Sequence, residues 1–342
     1  MKTAKITTIF LGAALGVSAQ TFTEWHDLQV NQVNRYPMHT NFFAYDTSGK
    51  DADALANDAR EKSVNYLSLD GQWKFNWVAN ADQRPTKFYE TNFDDSSWKT
   101  MAVPGMWELN GYGDPEYVNI GFAWRGHFKE QPPAVPTKDN HVGSYRRVIT
   151  LPDNWNGKQV IAHFGSVTSN IYLWVNGHYV GYAEDSKVAA EFDITPYLKK
   201  GNNLIAFQTF RWCDGSWDED QDFWRLSGVA RQSYLYAKNA KNQLTDLRVT
   251  PDLTDNYTNG TLHIKATLKG KTSAKFTLLD HEGNVVAQQA VSKAPNGIAE
   301  TTLTINNPHK WTAETPYLYT LIASATTADK QQKPYETAPV KV

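Results

Sequence analysis

Asn170-Ile171-Tyr172-Leu173-Trp174-Val175-Asn176-Gly177-His178-Tyr179-Val180-Gly181-Tyr182 decides the fold class. In Asn170–Val175, Tyr172 and Trp174 alternate with Ile171, Leu173 and Val175. At the two-residue period of a strand both faces are then apolar, as expected of a strand inside a sandwich. Asn176-Gly177 is a hairpin turn signal, and His178–Tyr182 reads as the returning strand. Upstream, Gln72–Val78 alternates and His163–Gly165 turns into Ser169–Trp174. Downstream, Asp193–Leu198 reads as a short helical turn, closed by the loop Lys199–Asn203 and followed by a strand over Leu204–Arg211. No long amphipathic helix and no βαβ alternation interrupts this pattern, which predicts an antiparallel, all-β chain.

After Asn239-Ala240-Lys241-Asn242 the composition changes: Trp becomes scarce and Thr common. Strands are expected at Leu244–Val249, Thr261–Leu268, Ala274–Leu279, Val285–Val291 and Ala299–Ile305. Their spacing of about 8–12 residues predicts a small second sandwich. The segment holds no Cys, which excludes a sandwich with a core disulfide. Gln20–Ser68 carries aromatics without periodicity and reads as an arm lying on a larger body. The expected divisions are a leader over 1–19, an arm over 20–68, a first domain over 69–240 and a second over 241–342.

With 342 residues, 41% hydrophobic and 20% charged, the chain can bury two domain cores of ordinary size. A net charge of −2 without a basic block argues against a nucleic-acid footprint and against a polybasic membrane patch. Lys2 and Lys5 precede an apolar run from Ile6 to Val17, and Val17-Ser18-Ala19 supplies small residues for a signal peptidase. This predicts export to the periplasm or beyond, with a mature chain starting at Gln20. The run is shorter than the roughly 20 residues that span hydrocarbon. Cys213 is the only cysteine, so no intrachain bridge can form.

The densest polar cluster is Arg211–Arg225, with four carboxylates at Asp218, Glu219, Asp220 and Asp222 among Trp212, Trp217 and Trp224. Carboxylates bind sugar hydroxyls or hard cations, and tryptophan offers a flat apolar face to a sugar ring. Charge runs are usually solvated, so by itself the stretch reads first as an acidic surface loop and second as a sugar site. Asn110–Asn119, punctuated by Gly and Pro, ends in an amide that can both donate and accept; alone it reads as a turn between strands. The histidines form no His-Glu-x-x-His arrangement, and no Gly-x-Ser-x-Gly elbow or phosphate loop is present. Two short glycosylation sequons, at Asn256 and Asn259, are taken as chance.

Taken in order, several motifs resemble the N-terminal signatures of large glycoside hydrolase family 2 β-galactosidases. They are Trp25 with Val30–Arg35, Leu69–Phe75, Val103–Trp107, Trp174–Tyr182, Asp185-Ser186-Lys187, Glu191-Phe192-Asp193, Glu219–Gly228 and Asn307–Tyr319. The resemblance implies a jelly-roll, galactose-binding-like sandwich, then an immunoglobulin-like sandwich, then a (β/α)8 barrel that hydrolyses terminal β-D-galactosides with retention. Retention needs two carboxylates about 5–5.5 Å apart, and in the family both lie on the barrel. The chain stops at Pro339-Val340-Lys341-Val342, where the family's second domain would be finishing. The expectation is therefore a sugar-binding and scaffold portion that lacks the barrel and is inactive alone.

The resemblance also implies site residues. Asn119 matches the asparagine that touches bound galactose, and Asp222 the aspartate that contacts its hydroxyls and helps ligate sodium beside the barrel. A divalent site in some members, with magnesium in the complete enzyme, maps onto Glu24, Asp27, the Val30 carbonyl, Glu184 and Asp214, all oxygen ligands suited to a hard cation. Glu24 and Glu184 depart from the family's shorter acid and amide. Ile120–Trp124 replaces a more polar family segment, which leaves aglycone preference open. The competing expectations are a free-standing carbohydrate-binding protein and a structural module for homo-oligomer contacts.

Overall fold

The structure, a computed structural model, describes residues 22–47, 49–119, 131–219, 222–293 and 295–342. The expected leader and the Ile120–Trp124 segment lie outside the described residues. Among the described residues no helix is long and apolar enough to cross a membrane.

The first sandwich is built on an antiparallel seven-stranded sheet. Its order is Gln32–Val33, His178–Ala183, Ile171–Val175, Asn202–Phe210, Val142–Thr150, Gly71–Val78 and Lys99–Val103. A four-stranded sheet faces it: Ala190–Asp193, Gln159–Phe164, Ser233–Lys238 and Tyr66–Ser68. The strand Tyr66–Ser68 thus belongs to the sandwich, which begins three residues earlier than the sequence pattern suggested. Between the sheets lie Trp73, Phe75, Tyr145, Leu173 and Phe207 from one side and Phe164, Phe192 and Leu235 from the other, all buried. Tyr145 stacks on Phe207 at 4.2 Å between centroids. Each such side chain contributes roughly 1.5–3 kcal/mol relative to exposure.

The strand Ile171–Val175 is apolar on both faces for a structural reason. Ile171, Leu173 and Val175 enter the core between the sheets. Tyr172 and Trp174 point the other way, into a second cluster with Trp25, Phe88, Tyr182, Phe210 and Cys213, against which Phe22 and Tyr89 pack. The arm and the segment around Phe88 therefore roof the outer face of the sheet. Asn176 and Gly177 take φ values of +51° and +85° in the two-residue loop joining Val175 to His178, the left-handed pair that a twisted hairpin requires.

The second sandwich pairs a three-stranded sheet, Gln243–Thr254, Asn259–Lys269 and Ile298–Ile305, with a five-stranded one. The latter runs Tyr45–Asp46, Pro334–Lys341, Thr320–Thr327, Thr272–Leu279 and Val285–Ser292. Its core is made by Leu247, Leu262, Ile264, Phe276, Leu303 and Leu321. Thr320–Thr327 lies beyond the spaced strands that the sequence pattern marked.

The arm does more than lie on the body. Its Gln32–Val33 adds an edge strand to the first sandwich and its Tyr45–Asp46 an edge strand to the second. Gly181 permits the first of these pairings: a Cβ there would sit 2.2 Å from the Val33 carbonyl oxygen. Between them, His39 and Thr40 bond one to each sandwich, His39 Nε2 to Glu191 at 2.8 Å and Thr40 N to Asp246 Oδ1 at 2.9 Å.

Candidate functional site

Asn119 and Asp222 are 103 positions apart in the chain, and a two-stranded antiparallel ribbon brings them together. In it Phe223 lies opposite Val118, Trp224 opposite Tyr117 and Arg225 opposite Glu116. The next position of that register sets Asp222 across from Asn119. Residues directly opposite one another, and residues two apart on one strand, share a face. Tyr117, Asn119, Asp222 and Trp224 therefore form one face of the ribbon, and all four are exposed. The rings of Tyr117 and Trp224, 54% and 56% exposed, meet at 5.5 Å between centroids. The Tyr117 hydroxyl donates to Asp222 Oδ1, and that bond together with the carboxylate's charge raises the phenol's pKa.

Buried charges hold both strands of the ribbon. Arg211, at the end of the strand Asn202–Phe210, pairs with Glu116 at 3.1 Å and donates to the Asp114 carbonyl at 3.1 Å. It also lies 3.1 Å from His141, whose pKa is lowered by burial and then by this guanidinium. On the other strand, Arg225 Nη1 donates to the Glu219 carbonyl at 2.7 Å. The Glu219 carboxylate in turn accepts from the Ser186 amide at 2.7 Å and from the Ser186 hydroxyl. Of the acidic run, Glu219 is thus an internal brace and Asp222 the exposed carboxylate at the ribbon; Asp218 is exposed in the preceding turn. Trp212 is buried and Trp217 half-buried, which leaves Trp224 as the exposed ring of the three.

Sequence reasoning grouped Trp224 with Trp212 and Trp217 beside the carboxylates and did not single out Tyr117. The usable signal was the alternation Tyr117-x-Asn119 and Asp222-x-Trp224, which marks a common face only once the two segments are known to pair.

The residues proposed for a divalent cation divide. Glu184, Asp214 and Cys213 bring ligating atoms within 4.8 Å of one another. Glu184 accepts from the Tyr182 hydroxyl at 2.7 Å, and burial followed by the neighbouring Asp214 pushes its carboxyl up to about 8. Asp214 is likewise raised by burial, and among the described residues its Oδ1 is buried without a hydrogen-bond partner. Two acids crowded together with an orphaned oxygen are a donor set that a hard cation fits. Asp27 is close enough for its charge to act on Asp214. Its own Oδ1 accepts from the Gln29 amide at 3.1 Å, and its carbonyl accepts from Val30 N at 2.8 Å. Glu24 is engaged elsewhere: its oxygens accept from the hydroxyls of Tyr172, at 3.0 Å, and Tyr179, at 3.1 Å.

Comparison with known proteins places this architecture. Residues 66–239 match the family described as "Glycosyl hydrolases family 2, sugar binding domain", and residues 242–338 match "Glycosyl hydrolases family 2". The chain belongs to glycosyl hydrolase family 2. Among family 2 relatives, the β-galactosidase of Priestia megaterium is 38% identical over 324 residues, covering 90% of this chain and 30% of its own length. The β-galactosidase large subunit of Leuconostoc lactis is 32% identical over 326 residues, covering 91% of this chain and 50% of its own length. The chain thus spans between about a third and a half of these curated relatives. A Bifidobacterium dentium β-glucuronidase shares the fold, with a TM-score of 0.63 at 18% identity over 82% of this chain and 48% of its own. The family 2 assignment makes the first unit the sugar-binding jelly-roll sandwich and the second the immunoglobulin-like sandwich.

Proposed function

We propose that this chain forms the galactose-facing wall and scaffold of an exported, retaining β-galactosidase acting on terminal β-D-galactosides. The observation that carries this reading is the exposed ribbon face of Tyr117, Asn119, Asp222 and Trp224. It joins an amide and a carboxylate, which between them donate to and accept from sugar hydroxyls, to two aromatic rings that cover the apolar side of a pyranose. Asp222 would also offer one oxygen to a sodium ion, and Glu184 with Asp214 would hold a divalent cation such as magnesium. A retaining mechanism requires a nucleophile and an acid/base about 5–5.5 Å apart. In this reading the (β/α)8 barrel, the part of the longer relatives outside the matched region, supplies them, and this chain contributes orientation rather than bond cleavage.

An apolar patch on the second sandwich supports a further domain as partner. Leu253, Tyr257 and Trp311 are exposed around a pocket of about 400 Å³ that Pro308, Tyr317 and Val342 also line. Patches of this kind on soluble proteins mark contact surfaces.

The test mixes the purified chain with the separately expressed barrel portion of the Priestia megaterium relative and follows aryl β-galactoside hydrolysis. Neither piece alone should turn over substrate, and the mixture or a covalent fusion should. Turnover by this chain alone, free of host enzyme, would overturn the assignment. A second reading, a free-standing carbohydrate-binding protein, is favoured by the exposure of the Tyr117–Trp224 pair. It predicts that the isolated chain binds galactose with a quench of tryptophan fluorescence that Trp224→Ala removes.

A further inference from the structure

A cleft between the arm and the first sandwich has a volume of about 750 Å³. Its acidic residue, Glu191, is already neutralised: its oxygens accept from His39 Nε2 at 2.8 Å, His163 Nδ1 at 2.7 Å and the Tyr236 hydroxyl at 3.0 Å. His39 Nδ1 lies 2.7 Å from the Thr40 carbonyl. Both His39 nitrogens thus face acceptors, an arrangement that favours the doubly protonated ring opposite Glu191. His163 spends Nδ1 on Glu191, and its Nε2 has no hydrogen-bond partner among the described residues.

Two other cations of the cleft have no acid at ion-pair distance among the described residues. Arg231 donates to the carbonyls of Lys187 at 2.5 Å and Gly165 at 3.4 Å, and among the described residues it pairs with no carboxylate. Lys187 lies over the Phe223 ring at 5.2 Å, also without a carboxylate at ion-pair distance among those residues. Burial lowers the Lys187 pKa; Glu219 opposes this from further off, and Arg225 and Arg231 add to it. Arg60, at the rim, already has Glu61 at 3.5 Å.

Gly165 lets the Arg231 stem approach the wall of the cleft closely. A Cβ there would stand 2.8 Å from the Gln232 carbonyl oxygen, 2.9 Å from the Arg231 Cβ and 3.6 Å from His163 Nε2. With no side chain at Gly165, the Arg231 stem packs directly against the backbone there, beside the His163 ring. Cations without carboxylates along a cleft are the complement of an oxyanion. The volume falls within the range of about 300–1,000 Å³ typical of small organic ligands and far exceeds one inorganic ion. Pro37, Pro104 and Val188 give its walls apolar area for a ring.

We propose that this cleft binds an acidic saccharide, its carboxylate or sulfate ester held by Arg231 and Lys187. Calorimetric titration of the 342-residue chain at low salt tests it with galacturonate, galactose 6-sulfate, neutral galactose and sodium sulfate. Both acidic sugars should bind at least tenfold more tightly than galactose and tenfold more tightly than sulfate. Arg231→Gln should weaken them at least tenfold and Lys187→Gln severalfold. Asp222→Ala, which probes the galactose-facing ribbon, should leave them unchanged, so the two readings fail separately. Acidic sugars binding no better than galactose, affinity that survives both cation replacements, or sulfate binding as tightly as the sugar esters would overturn the proposal.

Discussion

Replacing Glu191 by Gln should remove the charge that holds the arm to the first sandwich. The carboxylate accepts from two histidines and a tyrosine; an amide keeps one acceptor oxygen and turns two N–H groups toward donors. His39 loses its counter-charge and with it one of its two contacts. The magnitude follows from the carboxyl's pKa, which the bonds and charges of His163 and His39 lower to about 2, overcoming the burial that would raise it. From an ordinary value of 4.5, at 1.36 kcal/mol per pH unit, this amounts to roughly 3 kcal/mol. Removing one partner of a buried pair costs a similar amount, about 3–5 kcal/mol. The sign with pH is fixed from both sides. A carboxyl with a depressed folded pKa contributes stability above about pH 4.5 that is lost as pH falls through about 2. His39 is raised above 6.5, because the hydrogen bond and charge of Glu191 outweigh the opposing burial; its contribution is present below pH 6.5 and lost as pH rises through the folded value. The difference between wild type and Glu191→Gln should therefore be greatest between about pH 4.5 and 6.5. Urea unfolding followed by tryptophan fluorescence at pH 3, 5.5 and 8.5 measures it. A loss below about 1 kcal/mol at pH 5.5, or a difference that widens from pH 5.5 to 8.5, would refute the reasoning.

Gly143→Ala would put a Cβ 2.3 Å from Trp107 Cζ2 and 3.0 Å from Phe75 Cε2, between rings that cannot retreat, and should cost at least about 2 kcal/mol, read as a fall in Tm. The Glu184–Asp214 pair should take up magnesium or calcium more tightly as pH rises through about 8, where the cation no longer competes with the Glu184 proton; the thermal shift produced by millimolar cation should be larger at pH 8.5 than at pH 6, and a shift independent of pH would count against that site. When the chain is joined to a family 2 barrel, Asp222→Ala should lower kcat/KM at least about tenfold, roughly 1.4 kcal/mol, with little change in Tm of the chain alone; failure to fold would make Asp222 structural. Edman sequencing of secreted material should begin at Gln20, and an intact Met1 recovered from the cytoplasm would contradict export.

The parts of the fold that were legible are those with strict period and a turn signal. Ile171–Val175 and its Asn176-Gly177 loop read correctly because alternation and positive φ are local properties. The arm's strands were not legible: Gln32–Val33 and Tyr45–Asp46 are two residues long, too short to show a period, and exist only because other strands leave edges to pair with. Thr320–Thr327 puts Leu321, Ala323 and Ala325 on its core face, two of the three small, so its alternation carries little apolar bulk. At the candidate site, the resemblance pointed to Asn119 and Asp222 individually. Tyr117, and its pairing with Trp224, stayed hidden because a shared face is a property of register between segments about a hundred residues apart.

The arm's two edge strands impose an order in time on the growing chain. Tyr45 pairs with Thr337, so the partner of the arm's second strand is synthesised roughly 290 residues after it. At about 5–20 residues per second, that segment waits on the order of 15–60 s with its backbone groups unpaired while the first sandwich is completed. An extended segment in that state can add itself to a neighbouring chain's sheet. Brevity is its protection, since two residues offer too little ladder to hold a stranger, and Asp46 adds a charge to the exposed edge.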